Sequence, residues 1–170
     1  MPRARFFERG DIMFREMRRI RQQIPHEEAV GILERGKTGV LAVNGDDGFP
    51  YAVPMDFLFD AAKKAIYLHS ATEGHKVDAI ERDGKVCFTT WTKGIQKEGD
   101  WSFFVDSVIA FGHAVFVEDD SERLEATKQL GLKYYPTEEE VDKEIERDLG
   151  RMLLIRVDID HMSGKHVHER

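Results

Sequence analysis

The chain opens with a charged, mixed stretch, residues 1–25, that carries Arg15, Arg18, Arg19 and Arg21 and closes on Pro25. Its pattern fits an arm packed on another chain or a loosely held tail. From Glu27 the run EEAVGILERG has apolar residues at 29, 30, 32 and 33, acids first and Gly36 last, which are a helix's start and stop signals. Strand patterns follow. TGVLAV (38–43) is apolar and β-branched, and NGDDG (44–48) is a turn whose Asn44-Gly45 and Asp47-Gly48 pairs can both supply positive φ. FPYAVPMDFLFD (49–60) reads as a second strand, and its Pro50 and Pro54 must sit at edges or bulges because proline cannot donate to a ladder. AIYLHS (65–70) and GKVCFTTW (84–91) are a third and a fourth strand, with an amphipathic helix between them.

Residues 92–100 (TKGIQKEGD) form a polar loop, and WSFFVDSVIAFGHAVFVE (101–118) is long enough for one bent strand or two, with a bulge expected at Gly112. The period then switches. DSERLEATKQLGLKYY (120–135) is helical, capped by Asp120 or Ser121, and TEEEVDKEIERDLG (137–150) is a second helix, capped by Thr137 with Glu140 at the capping-box position. MLLIRVDI (152–159) is a last strand. About six strands and four helices result, the strands being consecutive antiparallel neighbours. That order predicts one mainly β domain over 1–170, a small six-stranded antiparallel barrel with flanking helices.

Composition narrows the function. At 41% hydrophobic and 34% charged, the 170 residues suit a globular chain with a real core. A net charge of −7 argues against a sequence-independent grip on nucleic acid. The single cysteine, Cys87, cannot build a disulfide framework and reads as a small buried hydrophobe. No apolar run reaches the ~20 residues of a membrane span and no signal peptide follows Met1, so a cytoplasmic protein without membrane contact is expected. Neither a Ser-His-Asp order nor a phosphate-binding P-loop is present, and GxGxxG is missing.

The candidate chemistry lies in IYLHSATEGHKVDAI (66–80), where a strand turns into a helix. Ser70 and Thr72 offer hydroxyls, Gly74 admits close backbone approach and Lys76 adds positive charge. A helix N-terminus with these neighbours suits an anion such as phosphate. Ser70 and Glu73 also match a capping box that would satisfy the helix without a ligand.

The ordered set VPMDF (53–57), IYLHSATEGHK (66–76), KVCF (85–88), SVIAFGHA (107–114) and MSGK (162–165) resembles the pyridoxamine 5′-phosphate oxidase-like flavin-binding split barrels. MFREMRRIRQ and GVLAVNGDDGFPYAVP add a resemblance to their nitroimidazole-resistance branch. The resemblance implies a split-barrel homodimer with FMN at the subunit interface. Pro54, Met55 and Asp56 would follow the flavin ring edge, and His69, Ser70 and Ala71 the ring and phosphate side. His75 and Lys76 would hold the phosphate, with His75 the candidate catalytic proton donor, and Ser107 and Val108 would come from the partner. The pattern departs from the family at Phe104 and Asp106, where a tyrosine and a basic residue are common.

The implied function is an FMN-dependent oxidoreductase acting on a small aromatic or nitro-bearing acceptor such as a 5-nitroimidazole. The alternative is a non-redox haem- or flavin-binding protein on the same barrel, with His69 or His75 as haem ligand. Three sequence features stay outside both readings. His161, His166 and His168 end the chain with spacing that admits a weak metal site, and Trp91 and Trp101 flank the polar loop. The acidic helix 137–150 reads as a solvated face.

Overall fold

The computed structural model describes residues 14–167. Among the described residues there are eight strands: β1 (Thr38–Asn44), β2 (Pro50–Asp56), β3 (Leu58–Asp60), β4 (Ala65–Ala71), β5 (Lys85–Trp91), β6 (Ile95–Gln96), β7 (Phe103–Phe116) and β8 (Met152–Val167). The helices are α1 (His26–Arg35), α2 (His75–Arg82), α3 (Asp120–Leu132) and α4 (Glu138–Asp148). The strands pair antiparallel in the order β2-β1-β5-β7-β8-β4-β3, with β6 added to the end of β7.

β2 and β3 stand at opposite ends of that order, yet one residue, Phe57, joins them. The sheet must therefore curl until its two edges meet on a single bent segment. Counted that way, six principal strands enclose the core: the fold is the six-stranded antiparallel barrel expected from the pattern, in the split form that the family resemblance implied. Its interior holds Leu41 and Val43 from β1, Ile66 and Leu68 from β4, Val86 and Phe88 from β5, Val108 and Ala110 from β7, and Ile155 and Val157 from β8. Ile32 and Leu33 of α1 join the same cluster.

The bend at Phe57 is held from several directions. Its ring is fully buried and meets Phe88 edge-on at 4.8 Å. Its N–H donates to the Tyr134 hydroxyl at 2.9 Å and to the Lys37 carbonyl at 3.3 Å. Its carbonyl accepts from Lys133 Nζ at 3.0 Å. The Tyr134 hydroxyl also reaches the Lys37 carbonyl.

α3 crosses the outer face of β4. Ala65, Tyr67, Ala126 and Leu154 form a small second core there. Glu122 of α3 fixes the crossing: it accepts from the Tyr67 hydroxyl at 2.6 Å, from Arg156 at 2.9 Å and from Lys63 at 3.2 Å. The Tyr67 hydrogen bond leads these contacts in holding its carboxyl down at about 2.

Several elements differ from the sequence expectation. β8 runs to Val167 rather than ending at 159, because its second half pairs with β7 from Phe111 back to Val105. A pattern of histidines, serine, glycine and lysine hides that half, whose outer positions are not apolar. Residues 14–24 pack on their own chain: Ile24 donates to Gly164 O at 3.1 Å, and Phe14 stacks on Phe111 at 5.3 Å and on His161 at 4.8 Å. Residues 1–13 of the arm lie outside the described residues. α3 is capped by Asp119, whose carboxylate accepts from the Glu122 N–H, rather than by Asp120 or Ser121, and its last turn stops at Leu132. In the 44–48 turn, Asp47 and Gly48 take positive φ and Gly45 does not. The polar loop contains β6.

Other expectations hold. Pro50 and Pro54 lie on β2, the edge strand. Thr137 caps α4, with Glu140 N–H donating to its hydroxyl at 3.3 Å. The β7–β8 register shifts between Phe111 and Gly112, where a Cβ would meet Asp158 O at 2.1 Å.

Phe57→Ala is expected to lower unfolding free energy by ~3–5 kcal/mol, the usual cost of emptying a buried phenylalanine site. Urea titration checks this, and a loss below ~1 kcal/mol would contradict the closing role.

Candidate functional site

The turn that joins β4 to α2 ends in Gly74, whose φ of 123° lies in a region that side chains disfavour. No side chain caps α2. Ser70 is therefore not the start of a capping box: it lies in β4, four residues before the N-cap. The N-cap residue puts no side-chain hydrogen bond on the α2 N-terminus, and the helix start carries both Lys76 and Asp78 in its first turn. Val77, Ala79 and Ile80 bury the other side of the helix and fix it against the barrel.

Lys76, in the first turn of α2, faces a cleft of about 440 Å³. Thr38, Val53, Pro54, Met55, Asp56 and His69 complete its lining. The far wall is thus β2, which pairs with β1 and, among the described residues, has no strand on its other edge. Edge-strand N–H donors and C=O acceptors next to a cation suit a ligand that carries both polar ring groups and an anion. The cleft volume lies within the ~300–1,000 Å³ of small-molecule sites.

Five residues named from the sequence, Pro54, Met55, Asp56, His69 and Lys76, meet in this cleft although 22 positions separate the first from the last. The others lie elsewhere. Strand alternation puts Ser70 on the core face with Ile66 and Leu68, and its buried hydroxyl has no hydrogen-bond partner. Ala71 is exposed at the end of β4. His75 stacks on Tyr51 at 4.2 Å, its Nε2 3.5 Å from Asp46 Oδ2, and does not line the cleft. Ser107 pairs with Trp91 and Lys165 on β7, while Val108 is fully buried and its carbonyl accepts from the Thr89 hydroxyl at 2.9 Å. Asp106, the departure from the family pattern, is engaged by His166.

Among the described residues no cluster of three metal-ligating side chains exists, and His168 lies outside them. Cys87 is half-buried on the outer sheet face, and burial raises its thiol pKa.

Thr38 and Val53 line the cleft without having been singled out. Strand pairing supplies both, and a residue type alone does not signal it. Lys133, outside the cleft lining, carries no sequence signal either. Burial, with Lys37 nearby, lowers its amino pKa to about 8, and its Nζ sits 4.4 Å from the Phe57 ring centroid. Burial raises the Tyr134 pKa to about 12.

The sequence profile of pyridoxamine 5′-phosphate oxidase matches residues 25–166, and the chain belongs to that family. A solved structure described as a candidate 5-nitroimidazole antibiotic resistance protein of Bacteroides thetaiotaomicron superimposes with a TM-score of 0.70 at 23% identity, covering 85% of this chain and 86% of that one. An FAD-binding protein of Mesorhizobium loti gives 0.63 at 18% identity over 86% and 98% of the two chains. An FAD- and haem-binding protein of Mycobacterium smegmatis gives 0.69 at 19% identity over 87% and 74%. These likenesses are of fold. None of the curated proteins compared with the chain matches it. No helix among the described residues is long and apolar enough to cross a membrane.

The Lys133 shift has a definite sign. Between pH ~8 and Lys133's ordinary value of 10.5 the unfolded chain binds a proton that the folded chain has released, so this residue makes stability rise with pH. The difference in unfolding free energy between wild type and Lys133→Met should therefore grow in favour of wild type from pH 8 to pH 10. Denaturant titrations across that range test it, and a flat difference would remove the buried-lysine account.

Proposed function

We propose that the chain is a flavin-dependent oxidoreductase that holds FMN in the cleft between β2 and α2. The observation that carries this reading is Lys76 beside an α2 N-terminus with no side-chain cap, facing an unpaired strand edge. The phosphate is assigned to Lys76 and the first-turn N–H groups of α2. Pro54, Met55 and Asp56 present backbone polar groups to the ring edge, and His69 borders the ring. Ser70 and Ala71 shape the strand end beneath the phosphate side. His75 supports the grip by stacking on Tyr51, which ties α2 to β2.

When bound, FMN would supply the two-electron redox chemistry between a donor and an acceptor. The chain's own residues bind it, orient it and shield it. Similarity to the nitroimidazole-resistance branch favours a small nitroaromatic acceptor. The single domain over 1–170 acts as one half of a homodimer in this reading. Val40, Ala42, Cys87, Thr89, Ile109 and Phe111 lie on one face across β1, β5 and β7, and Ile109 and Phe111 are exposed. Such a face suits a second copy, which would bring Ser107 and Val108 toward the partner's cleft. An intracellular setting accords with the lone cysteine.

His69 favours a second reading. It is exposed on β4 and faces the cleft, where an imidazole can ligate haem. The visible spectrum of the purified protein separates the two: flavin bands and released FMN support the first, a Soret band the second. Lys76→Ala is expected to weaken FMN binding ~10–100-fold, since a hydrogen bond to a charged group contributes ~1.5–3 kcal/mol and 1.4 kcal/mol is tenfold. Fluorescence titration of the flavin-stripped protein reads the affinity, and unchanged binding would end the phosphate assignment.

A further inference from the structure

The bend at Phe57 gathers groups from three separate parts of the chain around one amine. Lys133, the C-cap residue of α3, reaches across to the bend. Its Nζ donates to the Phe57 carbonyl at 3.0 Å and sits 4.4 Å from the Phe57 ring centroid, and both of these neighbours are uncharged. The Tyr134 hydroxyl lies 3.0 Å from the same carbonyl oxygen. Lys37, just before β1, holds its Nζ 5.8 Å from the Tyr134 ring centroid, and its positive charge acts on Lys133. Asp56, the last residue of β2, acts on Lys133 with the opposite sign. Asp56 and Tyr134 also line a cavity of about 350 Å³ among α3, α4 and β4. Lys133 is partly buried, whereas Lys37, Lys93 and Lys97 are exposed.

An amine so placed favours its neutral form, because burial disfavours the ammonium and Lys37 repels it. At a pKa of about 8, roughly half of the amine is unprotonated at pH 8, about a hundredfold more than for a lysine at 10.5. The neutral amine can keep its donor contact with the Phe57 carbonyl and still present a lone pair to an electrophile.

We infer that Lys133 is a carbamylation site, whose Nζ takes up carbon dioxide to form a carbamate that the Lys37 ammonium holds by charge. The Nζ lone pair attacks the carbon of CO2 and an N–C bond forms. One C=O π pair moves onto oxygen, and one N–H proton leaves to solvent. Nothing is oxidised or reduced. CO2 suits the place because it is small and uncharged. It reaches a partly buried amine beside a phenylalanine ring, where a charged electrophile would have to shed its water. The product keeps one N–H for the Phe57 carbonyl, so the bend stays closed. Its negative charge turns the repulsion from Lys37 into attraction, while Asp56 opposes it. The reaction is reversible, so the bend that carries Asp56 into the cleft registers dissolved CO2. This assignment does not depend on the flavin reading.

The full chain, equilibrated with bicarbonate at pH 8, is treated with triethyloxonium to convert carbamates into stable ethyl esters, and peptide mass spectrometry maps them. Lys133 should carry at least ~10 times the adduct of the exposed Lys93 and Lys97, as its larger neutral fraction dictates. Lys37→Ala should lower the Lys133 adduct several-fold, since it removes both the repulsion that favours the neutral amine and the partner of the carbamate. Asp56→Asn should raise it. Lys133→Arg, which keeps a donor for the Phe57 carbonyl, should abolish the carbamate signal that carbon-13 bicarbonate gives in the NMR spectrum of the wild type. The comparison among lysines within the wild type holds even if a variant does not fold. A Lys133 adduct no higher than that of Lys93, or one unchanged in folded Lys37→Ala, would overturn the site.

Discussion

The fold depends on how one residue closes the barrel. Because β2 and β3 sit at opposite ends of the strand order and share a single segment, the backbone at Phe57 must leave one ladder and enter another. Its polar groups cannot both be met by strand partners there, so Lys37, Lys133 and Tyr134 meet them instead. An unsatisfied pair of buried backbone groups at that point would cost ~1–3 kcal/mol each. The residues that solve this problem come from just before β1 and just after α3, so barrel closure and helix placement are one event.

That event also builds the site. Asp56 precedes Phe57 and faces both the cleft and the helical cavity. Tyr134, which holds Phe57, lines the cavity. The cleft owes its cationic side to Lys76 and the start of α2, and the cavity owes its acidic lining to α4 and Asp56.

Some of this was legible in the sequence. The prolines of β2 pointed to an edge because proline lacks a ladder donor. Gly112 pointed to a bulge, and the β7–β8 register shifts there. The Thr137–Glu140 pair pointed to the α4 cap. Ser70 and Glu73 misled, because a capping box is a local pattern and the strand simply continues to Ala71. The second half of β8 was hidden because strand patterns are read from apolar alternation, whereas MSGKHV is held by its pairing to β7.

The sequence by itself determined the elements, the barrel class and the stretch that carries Lys76, since periodicity, turn chemistry and cap residues act over a few positions. Tertiary structure alone decided which of the candidate residues meet. It set His69 and Lys76 in one cleft with Asp56 and turned Ser70 into the core, because strand alternation assigns faces only once the register is fixed. It also made a cavity from Thr127, Glu144 and Asp56, residues far apart along the chain that share a wall only after the sheet has curled and α3 has packed across it.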